Sequence, residues 1–337
     1  MASQAVRPAV RMRGGASDTA GVLILGGCAV WALVSAAGRA ARPEGVLLAV
    51  LAVAAGYACG RMAGALMPVT AAAAAALAGL GLTSTTWITG VDGGPAGRSG
   101  ADAAQLILAA GAACCAAWAA RRPALRLSLW LLAAGVAGTA LAIGSVPACG
   151  AAAGVLLCSL AAGRMPRRLL GLAGLALVAA VAVGGCWAVA QNALPSGLGG
   201  ALRGQLTEHR IRLWQDAARI AEEHPVRGAG PDLFSELTPV ALESAEPDGK
   251  PHSAPLQQAA EQGVPGVALL AAAFGWLLYA LWLSPRSTQV VLTAGAALTA
   301  LAAAATLGNA LSFPQVTAGA GLLAGLATAR VRTDGLS

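Results

Sequence analysis

The sequence has little charge. Asp, Glu, Lys and Arg make up 11% of its 337 residues, against about 25% in an ordinary soluble domain. A chain of this length folded in water would need far more solvated surface, so a soluble globular protein is excluded. Aromatic residues are scarce too, at 4%. Packing must therefore rest on the abundant Ala and Gly, which let apolar helices approach closely. Lysine is almost missing: Lys250 stands alone beside 21 arginines. The formal charge of +7 could suggest a nucleic-acid partner. Most of the excess Arg instead flanks apolar segments, as topology determinants do, and no nucleic-acid partner is expected.

Common signatures of chemistry are missing as well. The seven cysteines all fall inside or at the edge of apolar runs. They form no CxxC or Cys/His metal spacing and suggest no disulfide framework; small inert hydrophobes are expected. There is no Walker loop, no HExxH and no GxSxG. No DxD pair is present to hold the metal of a nucleotide sugar. The reading is metal-independent, with no cofactor.

What the chain does have is apolar runs, almost from end to end, with a mean hydropathy of +0.69. A membrane helix needs about 20 apolar residues. Segments at 21–38, 45–60, 63–82, 103–120, 127–144, 148–163, 169–190, 263–283, 289–308 and 315–329 qualify or come close. The expectation is an all-α, polytopic transmembrane helix bundle of about ten spans with one large outer loop. The basic residues 1–20 ahead of the first run could be mistaken for a signal peptide. The run is long and has no convincing cleavage site, so a retained first helix is expected.

Arginine placement orients this map. With the N-terminus inside, cytoplasmic stretches hold thirteen arginines and the short outer connections only Arg39, Arg42 and Arg98. The bias puts both termini in the cytoplasm of a multi-pass cell-membrane protein. The organisation is then a tail 1–20, spans one to seven over 21–190, an extracytoplasmic loop 191–262, spans eight to ten over 263–329, and a tail 330–337.

The loop breaks with the rest of the chain. It holds all three histidines and six basic residues against ten of the fifteen acids, a net charge of −4 with His neutral. Chemistry belongs there. Ile211, Trp214, Ala218 and Ala221 recur at helical spacing, widened by Leu213, Ala217 and Ile220, and Pro225 ends the pattern. The spacing predicts an amphipathic helix over about 208–224, lying on the membrane or packed on the bundle. A turn at Gly228–Pro231, a short helix around Asp232–Leu242, and a helical stretch from Ser253 to Gly263 follow.

Read in order, Arg210, Trp214, Pro225 through Pro231, His252-Ser253, nine residues, then Gly263-Val264-Pro265-Gly266 form a pattern. Here the sequence resembles the O-antigen ligase and O-antigen polymerase superfamily of membrane glycosyltransferases. That family has an Arg four residues before a Trp, a Pro-x-x-Gly-x-Gly-Pro turn, and His-[Asn/Ser/Gln]-x9-Gly-x-x-Gly. The resemblance implies a glycan moved from a polyprenyl-diphosphate carrier to an acceptor hydroxyl on the outer face, with membrane lipids around the protein. A polymerase of the same superfamily, or a catalytically degenerate scaffold of a glycan assembly complex, are the alternatives. A transporter would need ionisable residues within its spans, and the expected spans hold essentially none.

The residue chemistry is compatible with this. Arg offers a planar fork of donors suited to a diphosphate, and Arg210 holds the family position. Arg203 and Arg212 are further candidates to bind substrate, although i and i+2 do not share a helix face. His252 can accept the proton of an incoming hydroxyl, with Ser253 beside it. Gly228 and Gly230 serve a tight turn or a close approach to donor phosphate. Trp214 is read as an interfacial anchor, Glu261 as lying on a solvated face. Arg210 and His252 are expected to converge on one cavity. One departure stands out: family members place another Arg, often after a Ser, at the start of a middle span. The stretch read as equivalent, Gly144–Gly150, has none.

Overall fold

The computed structural model describes residues 6–88, 98–193, 207–238 and 250–330, which are helical and contain no strand. Seven helices precede the large loop: α1 (Val6–Ala36), α2 (Glu44–Leu66), α3 (Pro68–Ile88), α4 (Arg98–Ala119), α5 (Pro123–Ala142), α6 (Val146–Ala162) and α7 (Arg168–Ala190). The loop holds α8 (Glu208–Glu223) and the single turn α9 (Phe234–Leu237). After it come α10 (Ala254–Trp282), α11 (Thr288–Thr306) and α12 (Pro314–Thr328). Proline at the first or second position opens α5, α6, α10 and α12, where its missing N–H costs nothing.

Seven described helices are long and apolar enough to cross a membrane. The runs 68–84 in α3 and 146–162 in α6 are shorter apolar helices, and α12 has 15 residues. In α10, Gly263 leaves helical geometry at φ 69° and ψ −165°. The break separates a polar segment, 254–262, from an apolar one, 264–282, long enough by itself to span.

Helix α4 is the centre of the bundle and packs against α3, α5, α6, α11 and α12. The outer helices direct Leu23, Leu131, Leu157, Leu177 and Val181 outward, as lipid-facing positions require. Cys59 and Cys158 are exposed on such faces, while Cys114, Cys115 and Cys186 are buried. The tightest pair is α2 with α12. Gly56, Gly60 and Gly64 of α2 lie against the backbone of Ala318, Leu322 and Leu326, and Gly321 and Gly325 lie against Val53 and Tyr57. Spaced four apart, these glycines bring two backbones into contact.

The bundle has two unlike ends. At one, arginines cap helix C-termini: Arg286 donates to the Gly64 carbonyl at 2.7 Å, Arg126 to Ala117 at 3.3 Å, and Arg168 to Ser284 at 2.7 Å. Asp18 and Arg61 pair there. At the other end, Cys186 of α7 lies 3.2 Å from the Ser253 hydroxyl and donates to the Thr306 carbonyl at 3.6 Å. The start of α4 reaches the same end, with Gly100 against Asn309.

Candidate functional site

Helix α8 begins at Thr207, whose hydroxyl accepts from the Arg210 amide at 3.4 Å, an N-cap of the usual kind. Its apolar face is buried: Leu213, Trp214, Ala217, Ala218 and Ile220 form one core with Cys186, Val189, Phe234, Leu256 and Ala260. The helix thus packs on α7 and on the polar segment of α10. Trp214 is 1% exposed, so it lies inside this core and not at an interface. The second helix of the loop is shorter than the sequence suggests, four residues at Phe234–Leu237.

The arginines of α8 divide sharply. Arg212 bonds Glu208 at 2.7 Å, and Arg219 bonds Asp216 and Glu223 at 3.2 and 3.3 Å. At about 100° per residue, Arg210 falls on the buried stripe with Trp214 and Ala217, whereas Arg212 points away. Arg210 is half-buried and, among the described residues, makes no ion pair. Burial lowers its pKa from the ordinary value, because a desolvated cation is penalised. Arg203 lies outside the described residues.

Pro225 to Pro231 forms a clasp on α10. The Ala229 amide donates to the Ala260 carbonyl at 2.8 Å and Gly230 to Glu261 at 2.9 Å; Val264 donates back to Pro225 at 2.8 Å. Carbonyls left over at the end of a helical segment are thereby satisfied by a distant turn. Gly228 at φ 63° and Gly263 at φ 69° lie so close to each other's segments that a methyl on either would overlap backbone of the other. The two glycine motifs of the sequence are one interlocked joint. The Gly228 amide donates to His224 at 2.9 Å, so both Gly228 and Gly230 spend their N–H groups inside the protein and offer none to a phosphate.

Helix α1 braces this joint. Trp31 donates to the Gln262 carbonyl at 3.0 Å, Arg39 to Gly228 at 2.7 Å, and Arg227 to Ala37 at 3.0 Å. Glu261 is 3% exposed, not solvated as its sequence position suggests. It accepts from Gln257 Nε2 at 3.1 Å and from the Asp232 amide. Burial, against these bonds and Lys250, pushes its carboxyl up to about 7.

His252 is half-buried at φ 53°, a left-handed conformation uncommon outside Gly. It stands two residues before α10, next to the N-cap Ser253. Ser253 is 1% exposed and its hydroxyl meets Cys186, so it ties helices together and does not face a ligand. Two cavities at this end, among the described residues, are lined by neither Arg210 nor His252. One of about 210 Å³ lies beside Arg39, His224 and Glu236; one of about 530 Å³ lies between α7 and α8.

No curated protein and no solved structure matches the chain. The family model for O-antigen ligase matches residues 96–271. That stretch begins just before Arg98, the first residue of α4. The stretch Gly144–Gly150, at the start of α6, lies inside this match and holds no arginine. The match then runs from α4 through the clasp and into α10, more than half of the sequence, and the chain belongs to the O-antigen ligase family, whose members are glycosyltransferase-like membrane enzymes.

Proposed function

We propose that this protein transfers a glycan from a polyprenyl-diphosphate carrier to an acceptor hydroxyl at the membrane surface, without a metal. The observation that carries this reading is Arg210: a half-buried guanidinium with no carboxylate partner among the described residues, beside arginines that are paired. A cation desolvated and left unpaired gains most from an anionic ligand, and its fork matches two phosphate oxygens.

In the reaction, the bond between the anomeric carbon and the diphosphate oxygen breaks as the acceptor oxygen bonds that carbon. His252 takes the acceptor proton. Arg210 stabilises the charge growing on the departing diphosphate. The clasp supports pairing Arg210 with His252. It joins the C-terminal end of α8 to the end of segment 254–262, and Leu213 and Trp214 share a core with Leu256. Helices held so run alongside each other, and their N-terminal ends carry Arg210 and His252. Ten spans, both termini in the cytoplasm and the loop outside complete the reading.

His252→Ala tests it. Purified protein carrying this change should bind lipid-linked glycan normally and lose transfer, because the imidazole acts on the acceptor. Transfer at the wild-type rate would overturn the assignment. Lengthening of the lipid-linked glycan by the wild-type protein, in place of release of the carrier, would identify a polymerase.

A further inference from the structure

Val226 of the clasp and Val264, the first residue past the Gly263 break, are neighbours, since the Val264 amide donates to the Pro225 carbonyl at 2.8 Å. They are 65% and 66% exposed. Val264 opens the spanning segment of α10, and Trp31 of α1 bonds Gln262 at the same break. Val30, Leu33 and Val34, close to Trp31 on α1, are exposed as well. An apolar surface therefore runs from the outward sides of two spans onto the turn of a loop. Every residue of it lies within the described stretches 6–88, 207–238 and 250–330.

Two guanidiniums border this surface. Arg227, next to Val226, donates to the Val34 carbonyl and to Ala37 at 3.0 Å; Arg39 donates to Ser35 at 3.4 Å and to Gly228 at 2.7 Å. Both gather at the last turn of α1, whose C-terminal dipole offsets only about half a unit of charge. Among the described residues neither makes an ion pair, and the buried Arg227 Nε has no hydrogen-bond partner. Glu236 shares a cavity with Arg39 but lies beyond ion-pair distance. Backbone carbonyls orient the two cations and leave most of their charge uncancelled.

Valines beside uncancelled cations fit an amphiphile with an anionic head. A soluble anion would leave the valines in water, and a zwitterionic lipid brings a cation of its own to the guanidiniums. The diphosphate assigned to Arg210 does not reach them: from Arg210 to the end of α8 at Glu223 is about 20 Å along the helix axis. We propose that this surface holds an anionic phospholipid, its phosphate on Arg39 and Arg227 and its acyl chains along Val226, Val264 and α1. The clasp then lies in the headgroup layer of the membrane and not in the water above it. This binding needs no glycan transfer, so the two readings stand or fall separately.

The test uses the full-length protein in phosphatidylcholine vesicles, with a dansyl amino acid in place of Val226. Its fluorescence is titrated with phosphatidylglycerol or phosphatidylcholine spin-labelled on the acyl chain. Phosphatidylglycerol should quench at a mole fraction about tenfold lower, the scale expected of two basic residues at a membrane surface. Arg39→Gln/Arg227→Gln should bring the two lipids level with quenching by phosphatidylcholine unchanged, and Arg39→Lys/Arg227→Lys should keep the preference. If the glutamine pair lowers quenching by phosphatidylcholine too, the lysine pair decides, and a lost preference there overturns the proposal. Equal quenching by both lipids, quenching by neither, or a preference that survives the glutamine pair would overturn it as well. Stronger quenching by a spin-labelled polyprenyl diphosphate than by phosphatidylglycerol would give the surface to the donor and also contradict it.

Discussion

Burial acts in opposite directions on the two ionisable residues at the heart of the loop. Arg210 is a cation whose desolvation calls for an anion. Glu261 is an acid enclosed by the clasp, and the same desolvation favours its proton. A carboxyl raised from its ordinary range to about 7 binds its proton in the folded protein where the unfolded chain has released it. Stability is therefore fully present below the unfolded pKa and declines as pH rises through about 7. Glu261→Gln keeps an acceptor for the Asp232 amide and removes the titration. Thermal unfolding of this variant should show a higher Tm than wild type at pH 8 and no difference at pH 4.5. The gain should be on the order of 3 kcal/mol; a lower Tm at pH 8 would contradict the burial argument.

At the scale of elements, the joint between the Pro225–Pro231 turn and the Gly263 break sets the site. Its glycines answer a geometric demand: a positive φ at Gly228, and backbone of the other segment in the space a side chain would fill. Gly228→Ala should destabilise the loop by about 2 kcal/mol or more, seen as faster hydrogen exchange over 225–238 with the bundle helices unchanged. Equal exchange would remove the clasp as a structural element. Much here was legible in the sequence, because periodicity is local: the apolar face of α8, its end at Pro225, and the break at Gly263 all follow from spacing. The joint itself was not. Pro225 and Val264 are far apart in the chain, and no spacing rule shows that one turn caps the other's helix. For the same reason Glu261 read as solvated, and Gly228 and Gly230 as possible phosphate ligands.

Across the whole molecule, the arginine-capped end and the loop end lie at opposite extremes of the bundle. Arg126, Arg168 and Arg286 close the first by bonding backbone carbonyls at helix ends, and Arg61 pairs with Asp18, an arrangement in which the carbonyl-bound arginines also suit the negative ends of helix dipoles. The excess of Arg on one side of the map thus has a structural use besides orientation. Single cysteines at the exposed positions Glu236 and Arg122 report sidedness directly. An impermeant maleimide should label Glu236→Cys in intact cells and Arg122→Cys only after permeabilisation. Labelling of both from outside would break the topology.

The most direct test of glycan transfer is made on the reconstituted, full-length protein supplied with its own lipid-linked glycan. The quantity measured is free carrier diphosphate released with time, for the wild type and for Arg210→Lys. A point charge keeps the sign of the guanidinium and loses its fork. Release should fall about a hundredfold, the scale of removing one preorganised donor from a developing charge. Release at the wild-type rate by Arg210→Lys, at equal protein and in the same vesicles, would contradict the assignment of Arg210 to the diphosphate.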